Sequence, residues 1–225
     1  MSHHQQQILI LHGLGRSPRS MQKIEKALYK QDYRILNVGY SALTGTFEQV
    51  INQILEKIDQ WIEPKQTLHL VGHSFGGILI RGILANRKDW LFGRCVMIGS
   101  PNQGTAVASY ALSHKVLRHL TPPITQELTP DSELMKLLPE PEIETGIIAG
   151  SKPYNLVIPV TWFYKKATNN APGDGVVEIS NTQCRNMSDF IVMPLHHSFM
   201  MWDSELIDQI SHFLKNGCFI HLGKL

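Results

Sequence analysis

Only three cysteines, Cys95, Cys184 and Cys218, occur in 225 residues. Their odd number, wide spacing and lack of any CxxC or His/Cys grouping exclude a disulfide framework and a zinc site. No metal site is expected, and a reducing cytoplasm is the expected compartment. No stretch approaches the roughly 18 apolar residues of a membrane span, so no transmembrane segment is expected. Residues 1–7 are polar, and the first apolar run, Ile8 to Leu11, soon reaches Gly13. No secretory leader is expected, and His3 and His4 read as an ordinary terminus. Blocks of like charge are missing too: 21 basic and 19 acidic residues are scattered along the chain for a net charge of +2. That excludes the footprint of a polyphosphate partner, so no nucleic acid is expected. Internal repeats and low-complexity segments are also lacking.

What is present is 43% hydrophobic content, enough to bury one core, and one domain over residues 1–225 is expected. Short β-branched runs alternate with helical periods, the signature of βαβ units and a parallel sheet. The strands expected are Ile8 to Leu11, Arg34 to Val38, Thr67 to Val71, Cys95 to Ile98, Gly146 to Ala149 and Phe190 to Met193. A first helix is expected from Ser17 and Pro18 to about Lys30, burying Met21, Ile24 and Leu28. Thr46 with Gln49 forms a capping-box pattern before a helix whose apolar face runs from Phe47 through Ile62 and ends at Pro64. The helix after GHSFGG is apolar through Ile78, Leu79, Ile83 and Leu84 and should be buried, and a closing helix spans Ser204 to Lys215 with Gly217 as its stop. From about residue 104 to 142 no strand pattern occurs, only two helical ones, Val107 to Leu120 and Leu134 to Leu138. A structureless loop of that length is rare in a compact domain, so a helical cap or lid is expected there.

The chemistry concentrates in Gly72, His73, Ser74, Phe75, Gly76 and Gly77. GxSxG at the meeting of a strand and a helix thrusts its serine above the sheet edge, which makes Ser74 the candidate nucleophile. A serine hydroxyl needs a base, and the base needs a carboxylate to hold its tautomer. The order expected on such a sheet is serine, acid, histidine. Asp174, in the turn Pro172-Gly173-Asp174-Gly175, is the candidate acid. His196 and His197 lie beyond the last strand on the same sheet edge, and either ring suits the base. An oxyanion hole requires two backbone N–H groups. Phe75 supplies one at the helix start, and Leu14, in the His12-Gly13-Leu14-Gly15 loop, is the candidate for the other.

These segments resemble the lipase-like branch of the α/β-hydrolase family, compact serine hydrolases that include bacterial lipases and esterases. The resemblance spans about Ile8 to Gly217 and includes Gly99 to Gly104, Asp174 to Val177 and His197-Ser198-Phe199-Met200. It implies an α/β-hydrolase fold, a mostly parallel central sheet flanked by helices with a helical cap. It also implies Ser74 as nucleophile, Asp174 as acid, and the amides of Leu14 and Phe75 as oxyanion hole. In relatives the histidine precedes a Ser/Thr and an apolar pair, so the resemblance selects His197. The secretion signal of many lipases is not seen, so extracellular fat digestion is not expected.

The expected reaction is cleavage of carboxylic esters with an apolar acyl chain through an acyl-enzyme, without metal or organic cofactor. Thioester hydrolysis or acyl transfer would use the same groups, and a non-catalytic protein that retains the fold is the rival of another class. Tyr110, Phe199 and Met200 are the candidate substrate-binding residues, with Leu14, Phe75, Met201, Val107 and Leu117 as further apolar lining, and most of these read equally as core. Trp162, Phe163 and Tyr164 read as a second wall or a strand. Lys115, Arg118, His114 and His119 make a basic helix, and Arg16 and Arg19 lie near the mouth. They read as a solvated face or as a peripheral contact with anionic lipid.

Overall fold

The computed structural model describes residues 6–63, 65–153 and 163–221. Pro64, Trp162, His3 and His4 lie outside the described residues. Six strands, β1 (Gln7–Leu11), β2 (Arg34–Val38), β3 (Leu68–His73), β4 (Phe92–Ile98), β5 (Thr145–Gly150) and β6 (Asp189–Met193), form one sheet in the order β2-β1-β3-β4-β5-β6. Every pairing between them is parallel. The helices are α1 (Gln22–Tyr29), α2 (Phe47–Asp59), α3 (Phe75–Asn86), α4 (Ala106–Ser113), α5 (Lys115–Leu120), α6 (Glu133–Leu137), α7 (Tyr164–Thr168) and α8 (Ser204–Asn216).

The strands are apolar without interruption because both faces of the sheet are covered. Side chains alternate between two cores, as the two-residue period of a strand requires. Leu9, Leu11, Leu70, Cys95, Met97 and Ile147 share one core with α2 and α3. Ile8, Ile10, Val71, Val96, Ile98 and Ile148 share the other with α1 and α8. The Thr46–Gln49 capping box forms with both of its hydrogen bonds, and Val50, Ile51, Ile54 and Ile58 of α2 are buried. Helix α3 is buried from Phe75 through Leu84, including Arg81.

Strand order reverses between β1 and β3: the chain leaves β1 toward β2 on one side and returns to β3 on the other. Parallel sheets open a crevice at the carboxyl ends of two such strands. The two glycine-bearing turns, HGLG after β1 and GHSFGG after β3, both begin there.

Three local expectations are corrected. The first helix starts as a single 3-10 turn over Pro18–Met21, and the α-helix proper begins at Gln22, because the Ser17 side chain caps nothing. The expected helix from Val107 to Leu120 is two helices broken at His114, whose backbone is extended at φ −100° and ψ 118°. Ser113 Oγ donates to the Tyr110 carbonyl there, the side-chain competition by which serine ends helices. Phe163 and Tyr164, read as wall or strand, instead open the short helix α7, and Tyr164 is buried.

Both roots of the α4–α6 segment are held by one side chain. Arg81 of α3 donates from Nη1 to the Asn102 carbonyl (2.6 Å), from Nη2 to Leu138 (2.5 Å) and from Nε to Pro139 (3.1 Å). Among the described residues no helix is long and apolar enough to cross a membrane.

His69, at the start of β3, accepts a hydrogen bond at Nδ1 from Arg94 N (2.9 Å) and is 3% exposed. Burial, reinforced by the Arg94 charge, lowers its pKa to about 4. The unfolded chain therefore takes up this proton first, and stability present above pH 6.5 is lost as pH falls toward 4. His69→Gln should flatten the decline in urea-unfolding free energy across that window by up to about 1.4 kcal/mol per pH unit, one proton's worth. Equal slopes in the two proteins would show that His69 carries its charge when folded.

Candidate active site

Ser74 stands between β3 and α3 with φ 55° and ψ −122°, a conformation that side chains other than glycine avoid. Its N–H donates to the Ile98 carbonyl of the neighbouring strand (2.8 Å), and its carbonyl accepts from Gly77 N (3.0 Å). Close packing of α3 against β1 keeps the turn sharp. A Cβ on Gly76 would lie 2.4 Å from the Leu11 carbonyl oxygen, so no larger residue fits. The HGLG loop runs directly against the turn: a Cβ on Gly13 would lie 3.1 Å from Ser74 Cβ.

The acid comes from the turn after β5. Asp174 is 1% exposed, and its Oδ1 accepts from the N–H groups of Val176 (3.0 Å) and Val177 (2.8 Å). Its Oδ2 lies 2.7 Å from His197 Nδ1. An ionised carboxylate only accepts, so Nδ1 carries the imidazole proton and Nε2 presents a lone pair. Ser74 Oγ is 2.9 Å from that Nε2, placed to donate. His197 N also donates to the Asp174 carbonyl (3.1 Å), locking the two loops together.

Room for the pair is left by Gly99, at the end of β4, where φ is +55°. A Cβ there would lie 3.0 Å from Asp174 Oδ2 and from Met200 Sδ, and 3.3 Å from His197 Nδ1. His73, fully buried beside Ser74, donates from Nε2 to the His197 carbonyl (2.9 Å). Burial first, and the neighbouring His197 second, push its pKa well below the usual histidine range. It stays neutral next to a ring that would bear positive charge after taking a proton. His12 stacks on Tyr40 with ring centroids 4.1 Å apart, and the Tyr40 hydroxyl donates to the His12 carbonyl. Burial lowers the pKa of His12 as well.

The Phe75 N–H heads α3, where a helix leaves its first donors unpaired and the dipole favours negative charge. Neither it nor the Leu14 N–H donates to any backbone acceptor among the described residues. A serine, an imidazole, a buried carboxyl and amide donors without a backbone acceptor, on one sheet edge, form a set competent for acyl transfer.

The structure thus brings Ser74, Asp174 and His197 into one hydrogen-bonded line and leaves His196 outside it. The three substrate-binding candidates fare differently. Met200 is fully buried in the core shared with α1 and α8, where it packs as a core residue and faces no solvent. It opens the 3-10 turn over Met200–Trp202, in which Met201 is buried as well. Phe199 is half-buried with its ring 5.3 Å from Trp202. Tyr110 packs between α4 and α7, 4.0 Å from the His114 ring and 5.9 Å from Phe163. In the basic helix α5 no residue is buried. A cavity of about 640 Å³ lies at the base of the α4–α6 segment against Arg81, Met135, Leu138 and Arg185; none of the three aligned residues lines it.

Sequence reasoning passed over Gly99 as a spacer, His73 as an anchor of the histidine loop, and Thr105 and Glu178, which tie α4 to the Asp174 turn. Only Gly99 carried a local signal, a glycine at a strand end opening the segment Gly99 to Gly104. The other contacts join residues 71 to 124 positions apart.

Gly76→Ala should destabilise the fold by about 3 kcal/mol in chemical denaturation, since its Cβ meets rigid backbone. Gly15→Ala, at φ +67° with nothing within 4 Å, should cost only about 1 kcal/mol. The opposite ranking would show that α3 yields easily at the turn.

Residues 7–137, more than half of the chain, match the family model described as palmitoyl protein thioesterase. No curated protein matches the chain. Among solved structures, the propeptide form of Bacillus licheniformis lipase BlEst2 superposes with a TM-score of 0.77 at 14% identity, covering 100% of this chain and 53% of that one. Its mature form gives 0.70 at 14%, with 97% and 94% covered. Phospholipase PlaB from Legionella pneumophila gives 0.67 at 14%, with 93% and 57% covered. The chain therefore spans about half the length of the first of these. At such identity the likeness is one of fold, and the fold is that of the α/β-hydrolases.

Proposed function

This chain belongs to the palmitoyl protein thioesterase family, and we propose that it is a serine hydrolase of apolar acyl groups, cleaving them from carboxylic esters. The observation that carries the reading is the line Ser74 Oγ, His197 Nε2, His197 Nδ1, Asp174 Oδ2, with steps of 2.9 and 2.7 Å. As Ser74 Oγ adds to the substrate carbonyl, its proton passes to His197 Nε2. Asp174 stabilises the imidazolium, and the N–H groups of Leu14 and Phe75 hold the developing oxyanion. Collapse of the tetrahedral intermediate breaks the acyl–oxygen bond, and His197 returns its proton to the departing alkoxide. Water then attacks the acyl-enzyme with His197 as base and frees Ser74. The residues from about 104 to 142 act as a cap on the same domain, and Tyr110 and Phe199 contribute to the acyl site.

The family model favours a second reading, thioester cleavage. The chemistry differs in one respect. A thiol, with a pKa of about 8.5, leaves readily as thiolate and needs less proton transfer than an alkoxide. A thioesterase should therefore lose less acylation rate on His197→Ala with its thioester than with the matching ester.

Covalent labelling by a fluorophosphonate tests the common core: folded wild type should label, and Ser74→Ala should not. A folded wild type that stays unlabelled would leave a non-catalytic binding protein as the better reading. His197→Ala should lower kcat/KM by roughly 10⁴- to 10⁶-fold, as triad deletions do, while His196→Ala costs less than about tenfold. A chain-length series of nitrophenyl esters run against acyl thioesters and phospholipids decides the leaving group. A kcat/KM at least tenfold higher for thioesters would replace the ester reading with the second one.

A further inference from the structure

A second acid lies buried beside the Asp174 turn, and the proposed chemistry does not use it. Glu178 is 5% exposed. Its Oε1 accepts from Ala106 N in the first turn of α4 (3.1 Å), and its Oε2 lies 3.2 Å from Thr105 Oγ1. Thr105 Oγ1 also donates to the Val176 carbonyl (2.5 Å) and accepts from Val107 N (3.2 Å). The start of α4 is thereby pinned at two points, Val176 and Glu178, to the turn that holds the acid.

The same turn faces Asp174 with its N–H groups. Val176 N and Val177 N donate to Asp174 Oδ1, and Asp174 N donates to the Val177 carbonyl (3.2 Å). Gly173 pairs with Glu178 in an isolated antiparallel bridge, and Ile179 N closes on the Pro172 carbonyl (2.9 Å). Residues 172–179 thus form a small loop with two sides. Carbonyl and carboxyl oxygens grip the cap, and amides grip the Asp174 carboxyl. A shift of Val176 away from Thr105 tilts the amides that aim Oδ2 at His197.

We infer that Glu178 is a positioning residue that, with Thr105, couples the cap helix α4 to the Asp174–His197–Ser74 line. This rests on the function proposed above. Its role is to accept hydrogen bonds, so geometry and not charge is the working property. Glutamine at 178 retains an oxygen for Ala106 N and places an amide donor at Thr105 Oγ1; alanine retains neither. Displacements of an ångström in such an array cost up to about 10²-fold in rate.

The test compares Glu178→Ala, Glu178→Gln and Thr105→Val in the full chain. The readouts are kcat and KM on a nitrophenyl ester, the fluorophosphonate labelling rate, and the low-field proton resonance of His197 Nδ1–H. Glu178→Ala should lower kcat about 10- to 100-fold with KM within about threefold, slow labelling in parallel, and broaden or shift that resonance. Glu178→Gln should restore kcat to within about threefold of wild type. Thr105→Val, of matching shape, should lose about tenfold in kcat, and it decides the matter if the alanine variant does not fold. Variants within twofold of wild type, a glutamine variant as slow as the alanine one, or a loss confined to KM would each overturn the inference. The two readings fail separately: unlabelled wild type defeats the proposed function, whereas labelled wild type with indifferent variants defeats only the role of Glu178.

Discussion

Holding Ser74 at positive φ is the constraint on which the remaining architecture turns. That backbone is unfavourable in isolation and persists only where its surroundings over-determine it. Here the Ser74 N–H is tied to Ile98 of the next strand, and Gly76 lets α3 press on the Leu11 carbonyl. The ten residues after Ser74 are buried, so α3 cannot lift away without exposing an apolar cylinder. The same packing puts Ser74 at the carboxyl end of β3, beside the point where strand order reverses.

The polar groups around the serine follow from how the Asp174 carboxyl is divided. One oxygen is occupied by two backbone amides and the other by His197, so the acid cannot rotate toward a different partner. That division sets the imidazole tautomer, which in turn directs the Ser74 proton. His73 completes the arrangement from below by fixing the His197 carbonyl while remaining neutral through burial. A charged ring in its place would oppose the imidazolium that the proposed reaction forms.

The segment between β4 and β5 is fastened to α3 and to the Asp174 turn. Arg81 spends its guanidinium on carbonyls at the two roots, and Thr105 with Glu178 grips the turn of the acid. Between these anchors α5 carries no buried residue, and Val116 and Leu120 are 72% and 75% exposed. The firmly held parts of the segment are those bonded to Arg81 and to the Asp174 turn.

Local chemistry made the scaffold legible in advance. Period-two and period-3.6 burial, the Thr46–Gln49 box and GxSxG each act over a few residues, so the strands, α2, α3, α8 and Ser74 could be read from the chain. Asp174 and His197 were readable as types in order along one sheet edge, although the residues alone left His196 and His197 equivalent. What only the tertiary structure decided depends on contacts between distant segments. It joined His197 to Asp174 and Ser74, sank Met200 into the core, split the expected Val107 to Leu120 helix at His114, and joined Glu178 to α4. A one-dimensional pattern records which residues prefer burial or a turn; it does not record which buried polar group will meet which. That pairing is set when the sheet closes and inward donors and acceptors from distant segments compete for the same partners.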